Sequence, residues 1–347
     1  MAQAAVEFSI IIPVYNSCAF LKQLLESLEK GVSADISHEI IVVDDGSTED
    51  LSGLCARHGA QWVRLEANRG PAAARNIGAS VAAGNVLVYL DSDVRYTAGM
   101  LERVRELFDL DPEIAGVSFA NQPYDTGDNV VANFGAAIEH FWLQVYFKEG
   151  DAGRINGFAT RNGAVRREAF DAVGGFDDSF KTNAHEDYDF GKRLSAGRKC
   201  VMSRHPVLYH AFPVRLTRLM RNYFVRTALF VPYFIRNRPP LDKSQTSGDE
   251  ALVRLLGGVG FFLLLLAALP TPFRGLFAAS AACCVAVYAL LIRRFLGAAL
   301  RWGGRNKAFA GQCFLIHYAS SLVILAGGLW GLLRFFIGRA GLQQQDG

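Results

Sequence analysis

Apolar residues come in short unbroken runs through the first third of the chain, each closed by a polar cluster. Ile10 to Ile12 leads into Pro13-Val14-Tyr15-Asn16, Ile40 to Val43 into Asp44-Asp45, and Val86 to Leu90 into Asp91-Ser92-Asp93. Runs this short, without alternation, read as strands buried on both faces. Between the first two, Leu21, Leu24, Leu25 and Leu28 recur at helical spacing. Ser47-Thr48 with Glu49-Asp50 reads as a helix N-terminus, Ala60 to Leu65 as a short strand, and Ala72 to Ala83 as a helix of small residues. Strand and helix thus alternate, which predicts a doubly wound α/β fold with a mostly parallel central sheet.

Farther on, Gly99 to Leu110 reads as a helix, Ile114 to Phe119 as a strand and 121–135 as a Gly/Asn-rich loop. Phe134 to Phe147 reads as a helix that carries Glu139 and His140 as a partly exposed pair. Glu186 opens a helix with acids in its first turn and Lys192-Arg193 in its last, as the helix dipole favours. Val207 to Ala211 is the last strand of this half.

The pattern then changes. Val214 to Arg238 holds six arginines and no acid, and its apolar positions fit one helix face, the pattern of a basic helix lying on a membrane surface. Pro239-Pro240 and Asp242 to Glu250 read as a linker. Three uncharged stretches follow, Leu255–Phe273, Gly275–Ile292 and Ala308–Leu333. A span needs about 20 apolar residues, so two to three transmembrane helices are expected near 252–272, 275–293 and 308–335. The third has Gln312 and His317 near its start and either spans or begins in the interface. Arg293, Arg294, Arg301, Arg305 and Lys307 crowd the loop after the second stretch, against Arg274 alone in the first loop. The positive-inside rule then puts the second loop and the N-terminal domain on the cytosolic side.

Composition narrows the class. A net charge of +3 over 347 residues gives no case for nucleic acid. The six cysteines are scattered without a CxxC pair, which predicts reduced thiols. No apolar run follows a basic start at the N-terminus, so no signal peptide is expected. The expected organisation is a cytosolic domain over 1–213, with a nucleotide-binding half at 1–110 and an acceptor half at 111–213. An interfacial segment at 214–250 and a membrane domain at 251–347 follow.

Acids at strand C-termini are the candidate chemistry, because ligands of open α/β sheets bind at that edge. Asp91 and Asp93 repel one another unless a cation stands beside them; taken alone, Asp-Ser-Asp is better explained as a helix cap. A nicotinamide-binding Rossmann unit needs a GxGxxG turn after the first strand, and none is present. A P-loop is missing as well.

The runs Ile11-Ile-Pro-Val-Tyr-Asn16, Val42-Val-Asp-Asp-Gly-Ser47, Asn68-Arg-Gly-Pro71 with Arg75-Asn76, and Leu90-Asp-Ser-Asp93, in that order, resemble the family 2 glycosyltransferases. The resemblance covers about residues 8 to 213. It implies the nucleotide-sugar-binding sandwich of the GT-A fold. It also implies a donor site from Pro13, Val14, Tyr15, Asn16, Asp44, Arg75, Asp91 and Ser92, with Asp44 on the base and Asp91 near the ribose. Arg75 either faces the acids and phosphates or makes a structural salt bridge with Asp44 or Asp45, and Asp45 either joins the base site or holds its turn. A divalent metal, Mn2+ or Mg2+, is implied on Asp93, with Asp91 and His210 as further ligands. Asn156 to Arg167 matches an acceptor-side strand and turn, where Asn162 and Gly163 are candidates for the sugar pocket. Gly174-Gly175 suits a turn bringing backbone close to a ligand. Within His185 to Leu194, Asp187 matches the family's catalytic base, with Glu186 beside it.

The expected activity is inverting, metal-dependent transfer from an NDP-sugar, UDP-linked by preference, to a hydroxyl of a lipid-linked glycan at a bacterial inner membrane. Partners would then be the donor, that acceptor and the bilayer. Transfer to polyprenyl phosphate is the close alternative. A non-catalytic nucleotide-sugar-binding membrane protein is the alternative of another class. Processive synthases of this kind carry Gln-x-x-Arg-Trp; here Arg301-Trp302 follows Ala298-Ala299-Leu300, without the Gln.

Overall fold

The computed structural model describes all residues except 1–5, 124–126, 147–150, 181–184, 238–247, 302–305 and 344–347. The expected linker and the Arg301-Trp302 pair therefore lie wholly or partly outside the described residues. The elements in chain order are β1 (Phe8–Val14), α1 (Cys18–Gly31), β2 (His38–Asp44), α2 (Ser52–Arg57), β3 (Gln61–Arg64), α3 (Pro71–Val81), β4 (Val86–Leu90), β5 (Val94–Arg95), α4 (Met100–Leu110), β6 (Ile114–Pro123), α5 (Val130–Tyr146), β7 (Ala152–Ile155), β8 (Asn162–Arg166), α6 (Arg167–Ala172), α7 (Glu186–Ser195), β9 (Lys199–His210), α8 (Leu216–Asn237), α9 (Gly248–Ala267), α10 (Arg274–Leu291), α11 (Arg293–Arg301) and α12 (Lys307–Gln343).

The chain divides into two compact units. The first comprises 1–124 and 143–211, the second 125–142 and 212–347. The excursion between β6 and β7 thus groups with the C-terminal helices.

The first unit is built on one sheet of order β3-β2-β1-β4-β8-β6-β9-β5, with β7 added on β9. Its first four strands are parallel, as the uninterrupted apolar runs predict. β8 runs antiparallel to both neighbours, β4 and β6, so the sheet as a whole is mixed. Strand alternation sorts the core into two layers. Ile10, Ile12, Val88 and Leu90 pack with Leu21, Leu24 and Leu28 of α1 and Leu101 and Val104 of α4. Ile11, Ile41, Val43, Leu87 and Tyr89 pack on the other face with α3, Phe170, Phe176 and Phe190. Asp91 continues the Leu87–Tyr89 register, so it leaves the strand toward the layer that holds α3 and α7.

Several expectations shift. The helix expected from Ser47 starts at Ser52, because Ser47 is held by Asp44. β6 continues to Pro123 and α5 begins at Val130, so the expected 121–135 loop is mostly regular structure. Pairing with β9 carries β6 through the polar residues Asn121 and Gln122. The close approach at Gly175 is to Asn76, whose Oδ1 would lie 2.8 Å from an added Cβ. Arg193 Nη1 ties that turn down through Val173 and Gly175 carbonyls at 2.7 and 2.8 Å.

Among the described residues of the second unit, three helices are long and apolar enough to cross a membrane: Glu250–Ala267, Arg274–Leu291 and Lys307–Ile337. Of the basic cluster after the second stretch, Arg293, Arg294 and Arg301 lie on the amphipathic helix α11, Lys307 opens α12, and Arg305 lies outside the described residues. α11 buries Phe295, Ala298 and Ala299, while Arg293, Arg294 and Arg301 are exposed. α8 packs against α12 at two small residues one turn apart. A Cβ on Gly327 would lie 2.6 Å from the Phe224 carbonyl, and one on Gly331 would lie 2.5 Å from that of Ala228. Such contacts let helix backbones touch. Gly331→Leu is expected to cost about 1–3 kcal/mol by overpacking, read as a lower unfolding temperature of the detergent-solubilised chain. An unchanged temperature would show that α8 is not seated there.

Candidate active site

Every parallel strand of the first unit ends at one edge, and chain chemistry collects there. At the end of β2, Asp44 Oδ1 accepts from the Ser47 N–H at 2.8 Å. Its Oδ2 is buried with no hydrogen-bond partner among the described residues. A carboxylate oxygen left so costs stability unless a ligand brings a donor. Asp45 takes the other role foreseen for it: its two oxygens accept from Arg69 and Gly70 N–H at 2.7 and 2.9 Å, holding the turn into α3. Burial pushes its carboxyl up, against those two hydrogen bonds.

β1 ends beside β2, with Pro13 paired to Val43 and Val14 to Asp44. Tyr15 is then 51% exposed, a ring free to stack. Asn16 has a positive φ of 49° and its Oδ1 accepts from Thr48 N–H at 2.9 Å. Its own N–H donates to Ser47 Oγ at 2.9 Å. These bonds join the ends of β1 and β2 into one rim.

At the end of β4, Asp91, Ser92 and Asp93 are partly exposed, so they present polar atoms at that edge. The Asp91 N–H donates to Arg161 O at 3.1 Å, and Val94 N–H to Asp91 O at 3.1 Å. Asp93 Oδ2 lies 3.4 Å from His210 Nε2, and β5 pairs with β9 so that Val94 stands opposite His210. The backbone repeats the tie, Ala211 N–H donating to Asp93 O at 3.1 Å. Burial opposes ionisation of Asp93, yet the His210 hydrogen bond and charge, with Arg161, hold its carboxyl below the usual range. Arg161 is a site residue that the sequence reading did not single out, although it sits next to Asn162.

Arg75 faces the acids, as the first of its two expected arrangements has it, and makes no salt bridge with Asp44 or Asp45. It is 1% exposed; Nη2 donates to Asp91 Oδ1 at 2.8 Å and Nη1 to Glu186 Oε1 at 3.0 Å. α3 thereby ties the end of β4 to the start of α7. Burial opposes the arginine's charge, but the two carboxylates outweigh it and it stays protonated. Burial and the Asp187 charge raise the Glu186 carboxyl, and Arg75 pulls it back. Glu186 is 1% exposed, so it is closed to an acceptor hydroxyl in this structure. Asp187, next along α7, is partly exposed, and its Oδ1 accepts its neighbour Tyr188's N–H at 2.8 Å.

The sugar-pocket pair is not brought to this edge as available groups. Asn162 is fully buried, its Nδ2 donating to Phe119 O and Asn121 Oδ1 at 2.8 Å each. A Cβ on Gly163 would meet Ala159 O at 2.5 Å, so this glycine serves packing between β8 and the preceding turn.

For a divalent cation the donor set is one carboxylate and one imidazole, Asp93 and His210, with Asp91 Oδ1 engaged by Arg75. No cluster of three or more His, Cys, Asp or Glu suited to a metal occurs among the described residues. Two protein donors of this chemistry fit an ion that completes its shell with diphosphate oxygens and water.

The profile of glycosyl transferase family 2 matches residues 9–174, from β1 through α6. The similarity to that family is thus confined to residues 9–174. The chain is also similar to curated glycosyltransferases. The pre-mycofactocin glycosyltransferase of Mycobacterium tuberculosis is 28% identical over 337 residues, covering 93% of this chain and 62% of that protein. An uncharacterized glycosyltransferase of Haemophilus influenzae is 29% identical over 200 residues, 54% of this chain and 61% of that one. The chain thus spans about three fifths of the length of these curated relatives. Among solved structures, the mannosyltransferase PcManGT of Pyrobaculum calidifontis, in complex with GDP-Man and Mn2+, superposes with a TM-score of 0.55 at 18% identity. That match covers 93% of this chain and 87% of that one, and it supports the GT-A fold.

Proposed function

We propose that the chain transfers a sugar, with inversion, from a nucleoside diphosphate-sugar, UDP-linked by preference, to a hydroxyl of a lipid-linked glycan. The observation that carries this is the Arg75 bridge. It fixes the start of α7, where Asp187 stands, against the strand end that bears Asp91 and Asp93. Donor-side acids and a candidate base are thus held at one edge.

Asp44 Oδ2 would accept a base N–H, which favours uracil or guanine over a base without one at that edge. Tyr15 is exposed beside it to cover the ring. Asp93 and His210 would hold a divalent cation, which when bound stabilises negative charge on the leaving diphosphate. Arg161 adds positive charge beside Asp93. The acceptor oxygen attacks the anomeric carbon from the side opposite the diphosphate. The C1–O bond breaks with its electron pair leaving on the nucleotide, and Asp187 takes the hydroxyl proton.

The three apolar helices support a membrane-held acceptor, since anchoring raises its local concentration. The arginines exposed on α8 and α11 support the side that faces the cytoplasm of a bacterial inner membrane. The cytosolic domain then ends near residue 213.

The test is a donor panel on the purified full chain in detergent. One NDP-sugar is expected to stabilise the chain in Mn2+ or Mg2+ by about 2.7 kcal/mol at a hundredfold excess over Kd, read as a raised unfolding temperature. Chelation should remove most of that shift. Asp93→Ala should remove its cation-dependent part while the ligand-free temperature changes little. No shift and no donor turnover across the panel would sink the proposal.

A further inference from the structure

α7 is fastened at both ends by arginines from different sources. At its C-terminal end its own Arg193 grips the Val173 and Gly175 carbonyls. At its N-terminal end the grip comes from α3, through Arg75 on Glu186. Between these points the chain is pinned once more: Asn76 Nδ2 donates to Phe176 O at 2.8 Å and its Oδ1 accepts from Phe176 N–H at 2.9 Å. The Arg75 guanidinium also stands 5.6 Å from the Phe176 ring. α7 is entered through His185 at a positive φ of 87°, a conformation that costs a non-glycine residue energy and persists only where its surroundings hold it.

Arg75 is too deeply buried to meet substrate. Its planar fork serves two carboxylates at once, which a point charge cannot do. Asp91 is the acid between β4 and the Asp93–His210 pair, and Glu186 is the residue before Asp187. We propose that Arg75 is a positioning residue that sets Asp187 against the donor-binding edge, with the Arg193 end of α7 as the fixed pivot. This rests on the reading of Asp187 and Asp93 given above. Losing the bridge would then free the first turn of α7 and the Asp91–Val94 turn together, while the last turn of α7 stays put.

The test is Arg75→Lys, which keeps a buried positive charge between the acids but engages only one of them at a time. Amide hydrogen exchange of the ligand-free chain is followed at Asp91, Val94 and Asp189, and at Ala196 as the pivot control. Exchange at the first three is expected to speed at least tenfold, with Ala196 unchanged. In turnover, kcat should fall about thirtyfold while the donor KM stays within threefold. Should Arg75→Lys fail to fold, the double variant Arg75→Met/Glu186→Gln removes the buried charges together and cuts the same link; the same results are expected. Unchanged exchange at Asp91 and Asp189, uniform loosening that includes Ala196, or a raised donor KM with kcat intact would each overturn the proposal. If the wild type turns over no donor, the functional reading fails, and the exchange pattern still decides whether Arg75 couples the two turns.

Discussion

Asp187→Asn is expected to lower kcat about a thousandfold, within the range that general bases contribute, with little change in donor KM or unfolding temperature. The substitution is close to isosteric, and an amide oxygen can still accept the Tyr188 N–H that Asp187 Oδ1 accepts at 2.8 Å. The helix start therefore survives, and Glu186 keeps its bond to Arg75. What disappears is a carboxylate able to take the acceptor proton. An Asp187→Asn chain retaining more than a tenth of wild-type turnover on a hydroxyl acceptor would remove Asp187 from that role. Polyprenyl phosphate is already an anion and needs no base. Full activity of the variant on that acceptor alone would move the reaction to the lipid phosphate.

Arg254→Ala is expected to destabilise the second unit by about 3–5 kcal/mol, the usual cost of stripping one partner from a buried ion pair. Arg254 is 8% exposed and lies in the first candidate span. Its Nε donates to Glu250 Oε1 at 2.7 Å, Nη1 to His317 O at 2.9 Å and to Ser320 Oγ at 2.6 Å. Nη2 lies 3.0 Å from His317 Nε2. Because arginine only donates, that nitrogen is the acceptor, and Nδ1–H is left to donate to Tyr288 Oη at 2.6 Å. The Tyr288 hydroxyl in turn is 3.0 Å from Ser321 Oγ. One arginine thus fixes α9, α10 and α12 in a single register. Thermal unfolding in detergent measures the loss. The double variant Glu250→Gln/Arg254→Met leaves no lone charge and should recover at least half of it. An Arg254→Ala chain as stable as wild type would reduce the network to ornament.

Much of the first unit was readable because its signals are local. Short unbroken apolar runs closed by polar clusters read as strand interiors ending at a polar edge, and β1, β2 and β4 lie where those runs lie. The Leu21–Leu28 spacing specifies α1 in the same way. Where pairing decides, local reading stopped short. Nothing in Asn121-Gln122 announces a strand; β9 makes it one. Nothing local turns Arg293 to Arg301 from a charged loop into α11, since its apolar side needs Phe134 and Phe309 to cover it.

The candidate site divides along the same line. Strand-end position singled out Asp44, Asp91 and Asp93 as candidates, whereas Asp187, at a helix start, and His210 were selected by the resemblance to the family. Partner choice was not available from the sequence. Arg75 lies 16 positions from Asp91 and 111 from Glu186, and its bridge exists only once α3 and α7 share one face of the sheet. Asn162 looks like a sugar ligand in a polar stretch, yet β8 inserts between β4 and β6, its amide NH2 is taken up by Phe119 and Asn121, and its Oδ1 is buried.

Side-chain type and spacing over a few residues thus settle which segments are strands, which are long apolar helices, and which residues can carry the chemistry. Packing settles the rest: which charges meet, which polar groups are closed off, and how α7 and the long apolar helices are pinned. Those contacts join residues far apart in the chain, and their energies exist only after the layers have come together.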